Sequence, residues 1–75
     1  MNTKATNVTY FINGQGITSI NPDISMALQY YLTSEQQQQS FAVALNGDFV
    51  GKAYYQKTII NPGDSIDVLF PIQGG

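Results

Sequence analysis

The strongest constraint on this chain is the dipeptide Asn13-Gly14, set directly after a run in which Val8, Tyr10 and Ile12 alternate with Thr9 and Phe11. A type I′ turn needs positive φ at both central residues, and Asn-Gly accepts that geometry most readily. Alternation at period two places Val8, Tyr10 and Ile12 on one face and Thr9 and Phe11 on the other. The spacing predicts a strand over 7–12, a two-residue turn, and a second strand over about 15–20 carrying Ile17 and Ile20. The chain opens, on this reading, with an antiparallel hairpin. Gly14 and Gly16 form a G-x-G, but no third glycine follows at phosphate-loop spacing, so both read as turn glycines.

The period then changes. Ile24, Ala27, Leu28 and Tyr31 recur at helical spacing and Leu32 widens the stripe. Asn21 suits an N-cap, Pro22 the first helical position, and Asp23 the positive end of the helix dipole. Such a stripe packs on a sheet, with groove binding to a partner as the alternative. Residues 33–40 are polar and hold four consecutive glutamines, too few for prion-like behaviour. They read as a frayed helix end and a loop.

Residues 41–45 are apolar on both faces, as a central strand would be. Asn46-Gly47 is a second turn signal, after which Phe49 and Val50 resume an extended course. The stretch 51–57 fits either a short strand or an irregular connection with a helical turn. Residues 58–60 are short and β-branched. Asn61-Pro62-Gly63-Asp64 is a turn with Pro and Gly in their usual places. Over 65–70, Ile66, Val68 and Phe70 face one way, and Asp67 and Leu69 the other. One helix after a hairpin must cross one face of the sheet. The strand after that helix can return beside the hairpin through a right-handed crossover. The expected architecture is α+β: a mixed sheet of about four to five strands with one helix packed across one face.

Composition narrows the function. At 75 residues a single domain is expected, and so small a domain has little room for a deep internal active site. The only basic residues are Lys4, Lys52 and Lys57 and the net charge is −2, so no basic patch can neutralise the phosphates of a nucleic acid. Absence of Cys rules out a disulfide framework, a thiolate metal site and a thiol nucleophile. Asp64 and Asp67 have no third carboxylate near them in sequence and no EF-hand spacing, so no metal site is expected and Asp64 reads as a turn residue. No apolar run nears the roughly 20 residues that span a bilayer, and the first residues carry no signal-peptide core. The expected location is cytoplasmic, with no membrane and no nucleic acid among the partners.

What remains is the stretch Phe70-Pro71-Ile72-Gln73-Gly74-Gly75. Two glycines carry no Cβ, so such a tail can extend into a narrow channel of a partner. Pro71 stiffens the point at which it leaves the strand. The candidate reactive group is the carboxylate of Gly75, with Gly74 supplying freedom and 71–75 acting as a flexible tail. Leu69, Ile72, Pro71 and Phe11 are the candidate partner contacts, on a sheet face away from the helix.

The succession of a strand ending in Asn13-Gly14, an apolar helix, Val43-Ala44-Leu45-Asn46-Gly47, Ile60-x-x-Gly63-Asp64, a Val-Leu-Phe strand and Gly74-Gly75 resembles the ThiS family of sulfur-carrier proteins. The resemblance covers essentially the whole chain after residue 7, and it implies a ubiquitin-like β-grasp fold. Lys52 and Tyr54 or Tyr55 fit loosely where the family has a basic residue and an aromatic. The resemblance implies a non-enzymatic carrier with no bound cofactor. A ThiF-like E1 adenylyltransferase would adenylate the Gly75 carboxylate using ATP and Mg²⁺. A cysteine desulfurase or rhodanese-type donor would supply sulfur, and the thiocarboxylate would pass it to a ThiG-like thiazole synthase for thiamin. The last six residues also resemble those of the MoaD family, the small subunit of molybdopterin synthase, so that client, or another sulfur-containing metabolite, stays open. So do a ubiquitin-like modifier joined to a target lysine and an interaction module with an inert tail.

Overall fold

Strands β1 (Asn7–Ile12) and β2 (Gln15–Ile20) pair antiparallel around Asn13 and Gly14, with Ile12 opposite Gln15. Asn13 and Gly14 have φ of 47° and 83°, the left-handed pair that a type I′ turn requires. The structure, a computed structural model, describes residues 6–72. In β1 Val8, Tyr10 and Ile12 are buried, and Thr9 and Phe11 are exposed, as the alternation predicts. In β2 Ile17 is buried, but Ile20, three residues on, falls on the opposite face and is exposed.

Helix α1 (Ile24–Tyr31) starts two residues later than its cap signals suggest. Asp23, not Asn21, is the N-cap, and its Oδ1 accepts the Met26 N–H at 2.8 Å. Asn21 instead has positive φ and donates its N–H to the Thr6 carbonyl, prolonging the hairpin by one bond. Pro22 is buried in the connection. Ile24, Ala27 and Leu28 then point into the core with Leu32, as the stripe requires.

Residues 33–40 are not simply frayed. A short helix, α2 (Ser34–Gln37), is held by a capping box in which Gln36 N–H donates to Thr33 Oγ1 and Thr33 N–H to Gln36 Oε1. Strands β3 (Ala42–Leu45) and β4 (Asp48–Val50) form the second hairpin, around Asn46 and Gly47. The ambiguous stretch after it is a 3-10 helix, Lys52–Lys57, packed against α1. The turn 61–64 has Gly63 at φ 84° and a bond from Asp64 N–H to the Asn61 carbonyl, which makes it a type II turn. It delivers β5 (Ser65–Leu69).

The sheet order is β2-β1-β5-β3-β4. The strand beside the opening hairpin is thus β5, parallel to β1, and not β3, which the sequence led one to place there. The 61–64 turn sutures β5 into that slot. Gly63 N–H donates to the Thr9 carbonyl and Phe11 N–H to that of Asp64, while on the other side Asn46 N–H donates to the Ser65 carbonyl. The result is a mixed five-stranded α+β sheet with one face covered. Its core is Val8, Tyr10, Ile12, Ile17, Val43, Ile66 and Val68, together with Ile60 and the buried face of α1. Full burial of one such side chain contributes roughly 1.5–3 kcal/mol. Burial holds the Tyr10 phenol above its ordinary pKa of 10.0, and the neighbouring Tyr30 adds to the effect. The other face carries Thr9, Phe11, Thr18, Asp67, Leu69 and Phe49, all exposed.

Candidate functional site

The candidate site is built where β5 ends. Leu69 lies opposite Ala42 of β3, and Phe70 continues off the strand with its ring half-buried. Phe70 packs on Phe41 at a centroid separation of 5.6 Å and an interplanar angle of 58°, a tilted aromatic pair. Pro71 and Ile72 emerge into solvent, Ile72 at 96% exposure. Gln73, Gly74 and Gly75, which hold the predicted carboxylate and its glycine spacer, lie outside the described residues.

Two asparagines fix the strand that carries this exit. The Asn13 side chain takes the place of a peptide group beside Val68: Val68 N–H donates to its Oδ1 at 2.8 Å, and its Nδ2 donates to the Val68 carbonyl at 3.3 Å. The β1–β5 pairing thereby reaches past the end of β1. At the start of β5, Ser65 N–H donates to Asn46 Oδ1 at 2.9 Å, and Asn46 Nδ2 donates to Asp64 Oδ1 at 3.0 Å. Asp64 Oδ2 accepts the Asn61 N–H at 2.8 Å, so both carboxylate oxygens are engaged in the turn. The last residues of β5 are therefore rigidly aimed, while Pro71 and Ile72 leave the sheet.

Of the predicted partner contacts, Leu69, Pro71 and Ile72 are together at the exit. Leu69 is 59% exposed on the open face. Phe11 is on the same face but opposite Ser65, at the other end of β5, with the Asp67 carboxylate between it and Leu69 along the strand. Its ring lies over Gly16, where an added Cβ would stand 3.4 Å from Phe11 Cε1. The apolar surface around Leu69 extends the other way. By register Leu69 pairs with Ala42, and Ala44 with Phe49, which puts these four on one face; Phe49 is 75% exposed.

Phe41, Asn13 and Phe49 were not legible as contributors. Phe41 and Phe49 read as strand residues, and Asn13 as a turn former. A second use of a turn asparagine has no local sequence signal, since its partner is 55 residues away.

A shallow depression of about 370 Å³ runs along Ser40, Phe41, Ala42, Leu69, Phe70 and Pro71. A cleft of about 450 Å³ beyond Phe41 is lined mainly by glutamines and aromatics, with Lys52 the one charged group. Neither gathers an acid, a base and a nucleophile. Among the described residues no three His, Cys, Asp or Glu side chains are grouped to hold a metal ion, and no helix is long and apolar enough to cross a membrane.

The model of the ThiS family matches residues 23–75. No protein of curated function matches the chain in sequence. Among solved structures, the thiamine biosynthesis protein ThiS of Geobacter metallireducens superposes with a TM-score of 0.70 at 20% identity. The match covers 91% of this chain and all of that one. The fold is the ubiquitin-like β-grasp of that protein, and the aimed strand end with its exposed apolar surround is what this β-grasp chain presents to solvent.

Proposed function

From the premise that the chain belongs to the ThiS family, we propose that it is a sulfur carrier for the thiazole half of thiamin, a protein cosubstrate and not an enzyme. The observation that carries the reading is the construction at the end of β5. Asn13 and the Phe41–Phe70 pair hold the strand to its last residues, and Pro71 and Ile72 then project from it. The family match that runs through Gly74 and Gly75 supports it further.

A terminal carboxyl has a pKa of about 3.3–3.7 and is an anion at neutral pH, a poor electrophile. Activation couples it to a nucleotide. A Gly75 carboxylate oxygen attacks the α-phosphorus of ATP in a ThiF-like E1 partner, pyrophosphate leaves, and an acyl adenylate remains. The outer sulfur of a persulfide on a cysteine desulfurase or rhodanese-type donor then attacks the acyl carbon. AMP departs with the carbon–oxygen electron pair, and an acyl disulfide to the donor is left. A partner thiol attacks the donor-side sulfur of that S–S bond, so the thiocarboxylate leaves with the electron pair and the two partner sulfurs join as a disulfide. ATP and Mg²⁺ belong to the activator, and a ThiG-like thiazole synthase accepts the sulfur. Every catalytic group sits in a partner, which suits a chain without His or Cys. Gly74 and Gly75 let the backbone enter those sites without a side chain to clash. Leu69, Pro71 and Ile72 make the contacts around the tail, and Phe11 marks the far reach of the same face.

The test is pyrophosphate exchange. With a ThiF-like activator, the chain should support exchange of labelled pyrophosphate into ATP, and one Ala added after Gly75 should abolish it. Absence of exchange with an activator that works on its own carrier would reject the adenylation step. Productive transfer to a molybdopterin synthase large subunit, and none to thiazole synthase, would move the client to the alternative pathway.

A further inference from the structure

The sheet has two edges, and they are built differently. Edge strand β4 is three residues long and opens on Asp48. Edge strand β2 is six residues long, Gln-Gly-Ile-Thr-Ser-Ile, with no charge and no proline. Natural edges are normally blunted by shortness, charge, proline or bulges, and β2 has none of these devices. Its register with β1 is continuous from Asn7↔Ile20 to Ile12↔Gln15.

That register identifies the free groups. Antiparallel pairs alternate between hydrogen-bonded and non-hydrogen-bonded. Asn21 N–H donates to the Thr6 carbonyl, so the Thr6–Asn21 pair is bonded, and by alternation so are Val8–Ser19, Tyr10–Ile17 and Ile12–Gln15. The peptide groups of Gly16, Thr18 and Ile20 therefore point away from β1. Among the described residues they take no backbone partner outside the hairpin.

We propose that β2 is a self-association edge, on which a second copy of this chain pairs antiparallel about a two-fold axis through Thr18. The proposal is independent of sulfur carriage. In this register Thr18 meets Thr18 of the second copy, Gly16 meets Ile20, and Ile20 meets Gly16, so every outward peptide group is used. The side chains fit the same register. Ile20, half-exposed in one copy, comes to rest over Gly16 of the other, which has no side chain and is already flanked by the exposed Phe11 ring. Aromatic and β-branched neighbours across strands are favourable. Thr9 and Thr18 share a hydroxyl hydrogen bond of 2.8 Å across the hairpin, and the axis doubles that threonine row. No like charges face each other, because all the charged residues lie off β2. The product is one continuous sheet with both α1 helices on the same face, and β5, the tail-bearing strand, stays inside each half.

The test is sedimentation equilibrium from low micromolar to near-millimolar concentration. The wild-type mass should rise from one chain toward two. Thr18→Lys puts two ammonium groups across the axis and should weaken association at least tenfold, as should Thr18→Glu. An equimolar mixture of the two variants should associate again, which neither does alone. Amide exchange at Gly16, Thr18 and Ile20 should slow with concentration, while that at Tyr10 and Ile17 does not. A wild-type mass that stays at one chain throughout would overturn the proposal, even if an unrelated extended peptide bound this edge. So would undiminished association of Thr18→Lys, or a variant mixture that fails to associate.

Discussion

Asn13 and Val68 pair as two peptide groups would, although one of the groups is a side chain: Val68 N–H donates to Asn13 Oδ1 at 2.8 Å, and Asn13 Nδ2 donates back to the Val68 carbonyl at 3.3 Å. The hairpin turn of β1–β2 thus also holds the strand that leads to the tail. Asn13→Gly keeps the positive φ of the turn and deletes only the amide. It should cost about 1–3 kcal/mol, since a partly buried peptide group loses its partner. At ~4–8 °C per kcal/mol for a domain of this size, the melting temperature should fall measurably. Val68 amide exchange should quicken more than that of Ile66. An unchanged Val68 exchange rate would show that the pairing does not hold the strand.

That asparagine marks how far the sequence could be read. Alternation in 7–12 and 65–70 gave the inward residues correctly, because period two leaves no freedom once one face is apolar. The stripe of α1 was equally legible. Its start was not: Asn21-Pro22-Asp23 offers two capping residues, and the choice fell to Asp23 because Asn21 has a left-handed φ of 45°, whereas Asp23 has the extended backbone that an N-cap takes. Helix α2 was hidden in a glutamine run whose Thr33–Gln36 capping box is a weak local signal. The position of β5 between β1 and β3 rests on contacts made by the 61–64 turn with both neighbours, and no local pattern reports such contacts. At the tail, Leu69, Pro71 and Ile72 could be read as exposed. That Phe11 stands at the far end of β5 could not, because it depends on the parallel register of β1 with β5.

The cap itself is testable. Asp23→Ala removes the acceptor for Met26 N–H and should destabilise the domain by about 0.5–2 kcal/mol, whereas Asp23→Asn should restore most of the loss. Thermal unfolding of the three proteins decides it. Equal melting temperatures for wild type and Asp23→Ala would place the cap elsewhere.

Alkaline pH should act through Tyr10. Its folded pKa is raised above 10.0 by burial and then by Tyr30, while the unfolded chain titrates near the ordinary value. The neutral phenol is the form that the fold favours, so this contribution is complete below pH 10 and is lost as pH rises through and beyond that value. Tyr55, raised by burial as well, adds in the same direction. The melting temperature should decline above about pH 10, and Tyr10→Phe should flatten the decline. Identical alkaline profiles for the two proteins would contradict this assignment.

Partner affinity should map onto the tail exit. Leu69 shares its face with Ala42, Ala44 and the exposed Phe49, and burial of such a strip by an activator places a charge badly. Leu69→Asp should weaken binding of a ThiF-like activator about tenfold or more, a loss of about 1.4 kcal/mol. Phe11→Asp, at the other end of β5, should cost less. Titration calorimetry measures both, and circular dichroism should show each variant folded. Unchanged affinity for Leu69→Asp would remove the strip from the interface.

The most direct test of sulfur carriage is the intact mass of the chain after incubation with ATP, Mg²⁺, a ThiF-like activator and a sulfur donor. Sulfur carriage predicts a gain equal to one oxygen-to-sulfur exchange, located by fragmentation to Gly75 and absent when ATP is withheld or Ala follows Gly75. An unaltered mass, with an activator and donor that load sulfur onto their own carrier in the same buffer, would contradict it.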